Sequence, residues 1–253
     1  MAQINIYHLY PGHLNLYGDR GNMLALRRRA EWHGIALDII AVEPGDSIKF
    51  SRCDLLFMGG GQDSDQQLVA SDLAVRRGEM RKAVEDGMAI FAVCGSYQLL
   101  GNYYITHKGE RIGGLEIIDL HTEAGEKRLI GNAVINCSLW NPPQTLVGFE
   151  NHAGKTFLGP QIQPLGEVLS GYGNNGLDKK EGAVYKNVIG TYLHGSLLPK
   201  NPWLTDYLLQ KALDFRNQQY RLKELDDAME RKAHETAINL AGSRSYKRQS
   251  TRA

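Results

Sequence analysis

The chain lacks several features that mark other classes of protein. It has no run approaching the roughly 18 apolar residues of a membrane span, and its start, MAQINIYHLYPGHL, lacks the basic region and long apolar run of a secretory signal. Its 253 residues include three cysteines, Cys53, Cys94 and Cys137, far apart and without a CxxC pair. The formal net charge of +1 creates no overall field for nucleic acid or anionic lipid. We therefore expect a cytoplasmic protein without disulfides or structural zinc.

Apolar strands alternate with helical segments in the first hundred residues. Strands are predicted at 3–9, 35–42, 54–58 and 88–93, with a helix capped by Asp19 and another at about 63–84 that is interrupted near Gly78. Strands and helices that alternate with short connections favour a parallel sheet. The sequence therefore predicts an α/β fold with a doubly wound, mostly parallel sheet and flanking helices.

The second half of the chain is rich in strands. They are predicted at 103–106, 115–119, 129–139, 147–151 and 183–193, and an amphipathic helix starts at Pro202. From about residue 219 the sequence is polar, which divides the chain into a domain at 1–218 and an extension at 219–253. The extension is predicted to form a helix with Leu222, Leu225, Ala228 and Met229, and then to fray. The run Arg27–Arg29 is interpreted as a solvated helix face rather than a phosphate site.

Cys94 stands where an apolar strand meets a turn of small residues. The sequence VCGSYQL places it at the end of a strand and the start of a helix, as in a nucleophile elbow. Backbone N–H groups and the helix dipole there favour a thiolate, and the Gly95 amide could hold an oxyanion. Gln98, one helical turn later, could hydrogen-bond an amide substrate. The alternative is a buried cysteine that ends a core strand.

His194 ends a second strand-like stretch, AVYKNVIGTYL at 183–193. Open α/β folds place their sites at the carboxyl ends of strands, so His194 and Cys94 could meet there as a base and a thiolate. His152 is the main rival for the base. Either of these two histidines could also be a core or surface residue without a catalytic role.

Glycine and arginine supply two further candidates. Gly59–Gly61 follow a predicted strand, and the amide of Gly60 or Gly61 could face an oxyanion formed at Cys94, although a bare tight turn is the alternative. Arg128, predicted in a loop before residue 129, could hold a substrate carboxylate with two hydrogen bonds. A lone arginine of this kind is more often a surface charge.

Two nucleotide-binding patterns are rejected. Gly171–Gly176 reads GxGxxG, but no long helix follows, so a turn is the better interpretation. Gly154-Lys155-Thr156 resembles the end of a phosphate loop, yet Gly148 lies one residue too far back. We expect no ATP site, metal or cofactor on this chain.

Four segments together resemble the class I glutamine amidotransferases of the cobyric acid synthase type. They are FMGGGQD at 57–63, AVCGSYQLLG at 92–101, GFENHAGKT at 148–156 and GTYLHG at 190–195. Within that family, YGDRGN at 17–22, the GYGNN turn and YLHGSLLPKNP at 192–202 are similar to the glutaminase subunits of lipid II isoglutaminyl synthases. The resemblance covers about residues 3–215.

The resemblance implies hydrolysis of L-glutamine to glutamate and ammonia in a heterodimer. A Mur-ligase-like partner of the MurT type, with ATP and Mg²⁺ on that partner only, would use the ammonia to amidate the D-glutamate of the peptidoglycan stem peptide. It also implies Cys94 as the nucleophile, His194 as the base, Gly95 with Gly60 or Gly61 as oxyanion amides, and Arg128 as a ligand of the glutamine carboxylate.

Two positions depart from the wider class. Ser96 stands where many members have glycine, and Ser196 stands where many have a glutamate that orients the histidine. The resemblance implies that an aspartate of the partner fills this gap and that the isolated chain is a poor enzyme. If the third group instead lies within this chain, Glu150 and Asp19 are the first carboxylates to test. Two alternatives stay open, a stand-alone DJ-1/PfpI-like cysteine hydrolase and a non-catalytic regulatory subunit.

Overall fold

The computed structural model describes residues 2–15, 19–61 and 63–250, except for the side chains of 63, 64 and 243–250. Tyr17 and Gly18 of the YGDRGN motif lie outside the described residues. The strands are β1 (Gln3–Leu9), β2 (Ala36–Val42), β3 (Leu55–Met58), β4 (Ala89–Val93), β5 (Tyr103–Ile105), β6 (Arg111–Gly113), β7 (Leu120–Cys137), β8 (Gln144–Leu158), β9 (Gly166–Ser170), β10 (Lys180–Glu181), β11 (Ala183–Tyr185) and β12 (Val188–Thr191). The helices are α1 (Arg20–His33), α2 (Asp63–Glu85), α3 (Gly95–Leu99), α4 (Pro202–Phe215) and α5 (Ala228–Ser250).

The first sheet has the order β11-β12-β4-β3-β1-β2. The strands from β12 to β2 run parallel, and β11 pairs antiparallel with β12 at one edge. Every residue of β3, β4 and β12 is buried, as expected for central strands of a parallel sheet covered on both faces. The predicted doubly wound α/β fold is therefore confirmed.

The second sheet has the order β10-β9-β7-β5-β6, with β8 paired to β7. β7 and β8 form a long antiparallel pair from Leu120 opposite Leu158 to Cys137 opposite Gln144. An isolated bridge between Phe149 of β8 and His194 joins this sheet to the first one. Helix α5 contacts β7, β8 and β9, so the extension packs on the second sheet.

Several predicted elements differ from the structure. Residues 115–119 form no strand, because Leu115 and Ile117 are buried in an irregular segment whose backbone donates to Leu99 and Leu100. Helix α2 continues through Gly78 without a break. The helix of the extension starts at Ala228, after Leu222 and Leu225.

The interpretation of Arg27–Arg29 as a solvated face is wrong for Arg29. Its guanidinium is buried and donates to both carboxylate oxygens of Asp206 on α4 and to Asp227 before α5, with the Arg29 Nη1 to Asp227 Oδ1 distance at 2.6 Å. His33 Nε2 lies 2.9 Å from Asp206 Oδ1. This cluster ties α1 to α4 and to the start of the extension.

Replacement of Arg29 should destabilise the fold strongly. Arg29→Ala leaves two carboxylates without their cation, and removal of one partner of a buried ion pair costs about 3 kcal/mol or more. Chemical denaturation measures the loss in free energy of unfolding. Arg28→Ala is the matched control, because Arg28 forms an exposed pair with Glu31 and should change stability by less than about 1 kcal/mol. Equal effects of the two substitutions would contradict the structural role of Arg29.

Candidate active site

The carboxyl ends of β3, β4 and β12 meet at one edge of the first sheet. Met58 lies opposite Ala92, and Val93 lies opposite Thr191. The residues that follow these strands are Gly59–Gly61, Cys94 and His194. The parallel register therefore brings together three segments that are far apart in the sequence.

Cys94 occupies a strained elbow between β4 and α3. Its φ of 53° and ψ of −111° lie in a region that residues with a side chain rarely adopt. The Cys94 N–H donates to the Thr191 carbonyl at 2.8 Å, and the Cys94 carbonyl accepts from Gln98 N–H at 3.0 Å. The hydroxyl of Ser96 donates to the Gly59 carbonyl at 2.5 Å. Serine therefore fits this elbow and ties it to the glycine loop.

His194 is fully buried and fixed through its backbone. It exchanges two hydrogen bonds with Phe149, with its N–H donating at 2.7 Å and its carbonyl accepting at 3.2 Å. Its Nδ1 lies 3.8 Å from Asp19 Oδ1. Burial alone lowers the pKa of His194, but the Cys94 thiolate and the Asp19 carboxylate raise it to about 10. These surroundings favour the imidazolium form of His194.

The glycine loop approaches both side chains closely. A Cβ on Gly60 would lie 2.9 Å from His194 Cε1 and 3.4 Å from Cys94 Cβ. A Cβ on Gly61 would meet Leu14 Cδ2 at 2.5 Å, and one on Gly95 would meet Gln66 Nε2 at 2.4 Å. Only glycine fits these positions without a shift of the neighbours, so the loop is more than a bare turn.

Asp19 faces this site rather than the helix that it precedes. It stands at the N-cap of α1, but its side chain makes no capping hydrogen bond, so the predicted cap is wrong. Its Oδ2 instead accepts from the Gly60 N–H at 2.6 Å, and the side chain is fully buried. The carboxylate therefore lies between the glycine loop and His194.

His152 differs sharply from His194. Its ring stacks on Tyr192 with centroids 3.6 Å apart, and its Nδ1 lies 2.7 Å from the Gly154 carbonyl. Burial, aided by the positive charges of His194 and Arg128, lowers the pKa of His152 to about 3. A histidine with so low a pKa is a weak base, and its hydrogen bond and stacking hold the ring in place, so it is poorly suited to general acid–base catalysis. The geometry favours His194 over this rival as the base.

Gln98 belongs to a buried chain of polar side chains. Its Oε1 accepts from Gln66 Nε2 at 2.9 Å, and its Nε2 donates to the Tyr192 hydroxyl at 3.0 Å. The chain continues from Tyr192 to Thr156 and Thr122. Gln98 lies one turn from Cys94 as predicted, but both ends of its amide are engaged within the protein, so it would contact a substrate only by exchanging a bond.

Arg128 lies within β7 and not in a loop before it. The register of β7 and β8 shifts between Ala124 and Leu129, and Arg128 falls in this irregularity. Its Nε donates to Asn151 Oδ1 and one Nη donates to the Asn151 carbonyl, both at 2.8 Å. The guanidinium is exposed, and it lies close enough to His152 for its positive charge to contribute to the lowered pKa of that residue.

Two buried carboxylates support the surroundings of the site. Glu150 accepts from the backbone N–H groups of Tyr172 and Gly173, which holds the GYGNN segment as the predicted turn. Burial and the nearby Glu181 raise the pKa of Glu150 to about 8. Glu181 Oε1 accepts from Thr191 Oγ1 and from the Tyr192 N–H, both at 2.7 Å, and fixes the chain just before His194.

The rejected nucleotide motifs have other roles in the fold. Gly171–Gly176 is the turn held by Glu150, and Gly154-Lys155-Thr156 lies inside β8. Within 2–15, 19–61 and 63–250, no group of three or more His, Cys, Asp or Glu side chains is arranged to hold a metal ion. No helix in the described part of the chain combines the length and apolar character needed to cross a bilayer.

Comparison with known proteins identifies the family. Residues 5–202 match the CobB/CobQ-like glutamine amidotransferase domain. The chain belongs to this family. The match spans most of the chain and includes Gly59–Gly61, Cys94 and His194, so the predicted resemblance is confirmed. It favours an amidotransferase over a stand-alone hydrolase of another family.

Individual relatives agree with this assignment. The chain is 43% identical over 241 residues to the lipid II isoglutaminyl synthase (glutamine-hydrolyzing) subunit GatD of Staphylococcus aureus strain N315, covering 95% of this chain and 97% of the relative. The subunit of the same name from Streptococcus pneumoniae strain R6 is 39% identical, covering 83% and 81%. The fold resembles the structure of PurLQS from Thermotoga maritima, with a TM-score of 0.60 at 15% identity over 85% of this chain and 100% of that one.

Sequence reasoning missed the positions of Asp19 and Glu181. Asp19 lies in the YGDRGN motif and was a candidate for orienting His194 as well as a helix cap, but nothing in the sequence indicated its contact with the Gly60 amide. Glu181 precedes the His194 strand and carried no signal of its own. A buried acidic residue next to a strand that ends at the candidate base is the pattern that could have identified Glu181.

Acid should weaken the fold through its buried neutral histidines. The pKa of His152 is lowered to about 3 and that of His8 to about 4, mainly by burial, whereas both become protonated near 6.5 in the unfolded chain. The unfolded state therefore binds more protons between these values, and the free energy of unfolding falls as the pH drops from about 6.5 toward 3.

Denaturation of the His152→Phe variant at pH 7 and pH 5 tests this. Phenylalanine keeps a ring against Tyr192 but cannot bind a proton, so the loss of stability between these pH values should be smaller than in wild type. His107→Ala, on an exposed turn, should keep the wild-type loss. An unchanged loss in His152→Phe would contradict a depressed pKa at this residue.

Proposed function

We propose that this chain is the glutaminase subunit of a lipid II isoglutaminyl synthase and acts through Cys94 and His194. The observation that carries the proposal is one buried site that joins a cysteine on a strained elbow to a histidine whose surroundings favour its protonated form. The relatives from Staphylococcus aureus and Streptococcus pneumoniae support the finer assignment, because they match this chain over most of their own length.

The first half of the reaction forms a thioester. The Cys94 thiolate attacks the side-chain carbonyl carbon of glutamine, and the carbonyl oxygen becomes an oxyanion held by the amides of Gly95 and Gly60 or Gly61. The tetrahedral intermediate collapses as the C–N bond breaks. The His194 imidazolium gives its proton to the leaving nitrogen, and ammonia departs from a γ-glutamyl thioester.

The second half releases glutamate. His194 is now neutral and takes a proton from water as the water attacks the thioester carbonyl. Collapse of this second intermediate breaks the C–S bond, which restores the Cys94 thiolate and the His194 imidazolium. Burial lowers the pKa of His194, but Cys94 and Asp19 raise it to about 10, which favours the imidazolium form to which the histidine returns.

Ammonia would be used by a partner subunit. We assign ATP, Mg²⁺ and the amidation of the stem-peptide D-glutamate to a Mur-ligase-like partner of the MurT type, in a cytoplasmic heterodimer. The names of both relatives describe a subunit, which supports a complex. The elbow and His194 lie at the end of the parallel sheet, and ammonia would be protonated in bulk water, so we place the interface close to this edge.

Arg128 is proposed to bind the α-carboxylate of glutamine. Its exposed guanidinium donates from Nε and from one Nη to two oxygens of Asn151, and the same two donors can bind both oxygens of a carboxylate. Binding of a carboxylate would use the remaining donors or replace the Asn151 oxygens. Gln98 is proposed as a substrate contact only after the exchange of one of its internal bonds.

Cys94→Ala should abolish glutamine-dependent amidation by the complex and leave ammonia-dependent amidation largely intact. Alanine removes the nucleophile but suits the start of α3. Both rates are measured with the same complex, and Cys137→Ala is the control for loss of a buried thiol elsewhere. Wild-type glutamine turnover by Cys94→Ala would refute the assignment, and loss of both activities would indicate a structural role.

Arg128→Ala should lower kcat/KM for glutamine by about one to two powers of ten. The change removes a charge-assisted contact worth about 1.5 to 3 kcal/mol. The effect should fall mainly on KM, because the contact lies away from the reacting atoms. Arg221→Ala removes an exposed arginine outside the site and should leave kcat/KM unchanged. Wild-type kinetics in Arg128→Ala would remove this residue from the site.

A further inference from the structure

The Asp19 carboxylate occupies the Gly60 N–H, one of the two loop amides proposed to hold the oxyanion. Its Oδ2 lies 2.6 Å from the Gly60 nitrogen, which is the distance of a strong, charge-assisted hydrogen bond. Gly60 is also the loop glycine nearest to the reacting pair, because a Cβ there would lie 2.9 Å from His194 Cε1 and 3.4 Å from Cys94 Cβ. The Gly60 backbone therefore lies beside the reacting pair, and its N–H is bound to a carboxylate.

The carboxylate and the oxyanion cannot use this amide together. A backbone N–H supplies one donor, and both acceptors carry negative charge. The site is fully buried, so water does not screen the repulsion between them. Attack by Cys94 with the oxyanion at Gly60 therefore requires Asp19 to leave first.

The position of Asp19 is fixed by the start of α1 and by the segment after His194. A Cβ on Gly21 would lie 2.1 Å from Ser196 Oγ, so the Gly21 backbone packs directly against the Ser196 side chain. The Leu198 N–H donates to Asn22 Oδ1 at 3.0 Å, and the Arg20 N–H donates to Asn15 Oδ1 at 2.9 Å. Movement of the first turn of α1 would therefore move Asp19 relative to the glycine loop.

We propose that Asp19 holds the free subunit in an inactive state by occupying the Gly60 amide, and that docking of the synthetase partner withdraws it. The inference rests on the proposed function and specifies its regulation. The first turn of α1 carries the exposed Arg20 beside the buried Asp19, so a contact on the outer surface can shift the carboxylate inside. Glutamine hydrolysis is then confined to the complex that consumes the ammonia.

The test compares the isolated chain with the complex in wild type, Asp19→Ala and Asp19→Asn. Two rates are measured, glutamine hydrolysis and the labelling of Cys94 by a diazoketone analogue of glutamine, whose carbonyl oxygen needs the same amide. Asp19→Ala should raise both rates of the isolated chain at least about tenfold, within the roughly 10²–10³ that one oxyanion donor contributes. Stimulation by the partner should shrink by a similar factor.

Asp19→Asn gives a second measurement in a side chain of equal size. Its amide oxygen can still accept from Gly60 but carries no charge, so the rise should be smaller, about threefold or more. Asp65→Asn removes another carboxylate near the glycine loop, one that lies 3.9 Å from His13 Nδ1, and its rates should stay within about twofold of wild type. If Asp19→Ala does not fold, Asp19→Asn decides the outcome.

A folded Asp19 variant whose isolated chain reacts no faster than wild type would overturn the inference. A slower variant would show that Asp19 serves to orient His194 productively instead. The proposed function is judged separately, by whether the wild-type complex hydrolyses glutamine and labels Cys94. If the complex is active but the Asp19 variants react no faster than wild type, the inhibitory role of Asp19 is rejected and the proposed function stands.

Discussion

The backbone at Cys94 is the constraint on which the site depends. A residue with a side chain at φ 53° costs free energy, and the surrounding hydrogen bonds must offset that cost. Thr191 of the neighbouring strand accepts the Cys94 N–H, and Ser96 binds the glycine loop. The elbow is thus held by the same two segments that carry the proposed base and the proposed oxyanion amide. The strained backbone at Cys94 and the positions of these two segments therefore depend on the same hydrogen bonds.

Electrostatic surroundings separate histidines that look alike in the sequence. His194 and His152 are both buried, and burial lowers the pKa of each. His194 has a thiolate and a carboxylate beside it, whereas His152 faces a carbonyl, a tyrosine ring and two cations. These neighbours explain why the pKa of His194 is raised and that of His152 is lowered. Burial alone would lower both pKa values.

The sequence predicts contacts within elements better than contacts between them. β1 to β4 and the Cys94 elbow are predictable because apolar runs and small residues dictate them locally. Residues 115–119 have the same apolar character, but tertiary hydrogen bonds to 99–101 satisfy their backbone instead of a strand partner. The contact of Asp19 with Gly60 and the irregularity that carries Arg128 depend on how distant segments align, which no local pattern encodes.

Strand β8 serves several parts of the site through consecutive residues. Phe149 fixes the backbone of His194, Glu150 holds the 171–176 turn, and Asn151 binds Arg128. An insertion or deletion of one residue here would shift all three contacts. Because side chains alternate between the two faces of a strand, it would also turn the side chains of Glu150 and Asn151 to the opposite faces. Phe149 acts through its backbone and can be replaced by another residue, whereas Glu150 and Asn151 act through their side chains. The length of this stretch relative to β7 is constrained by all three contacts.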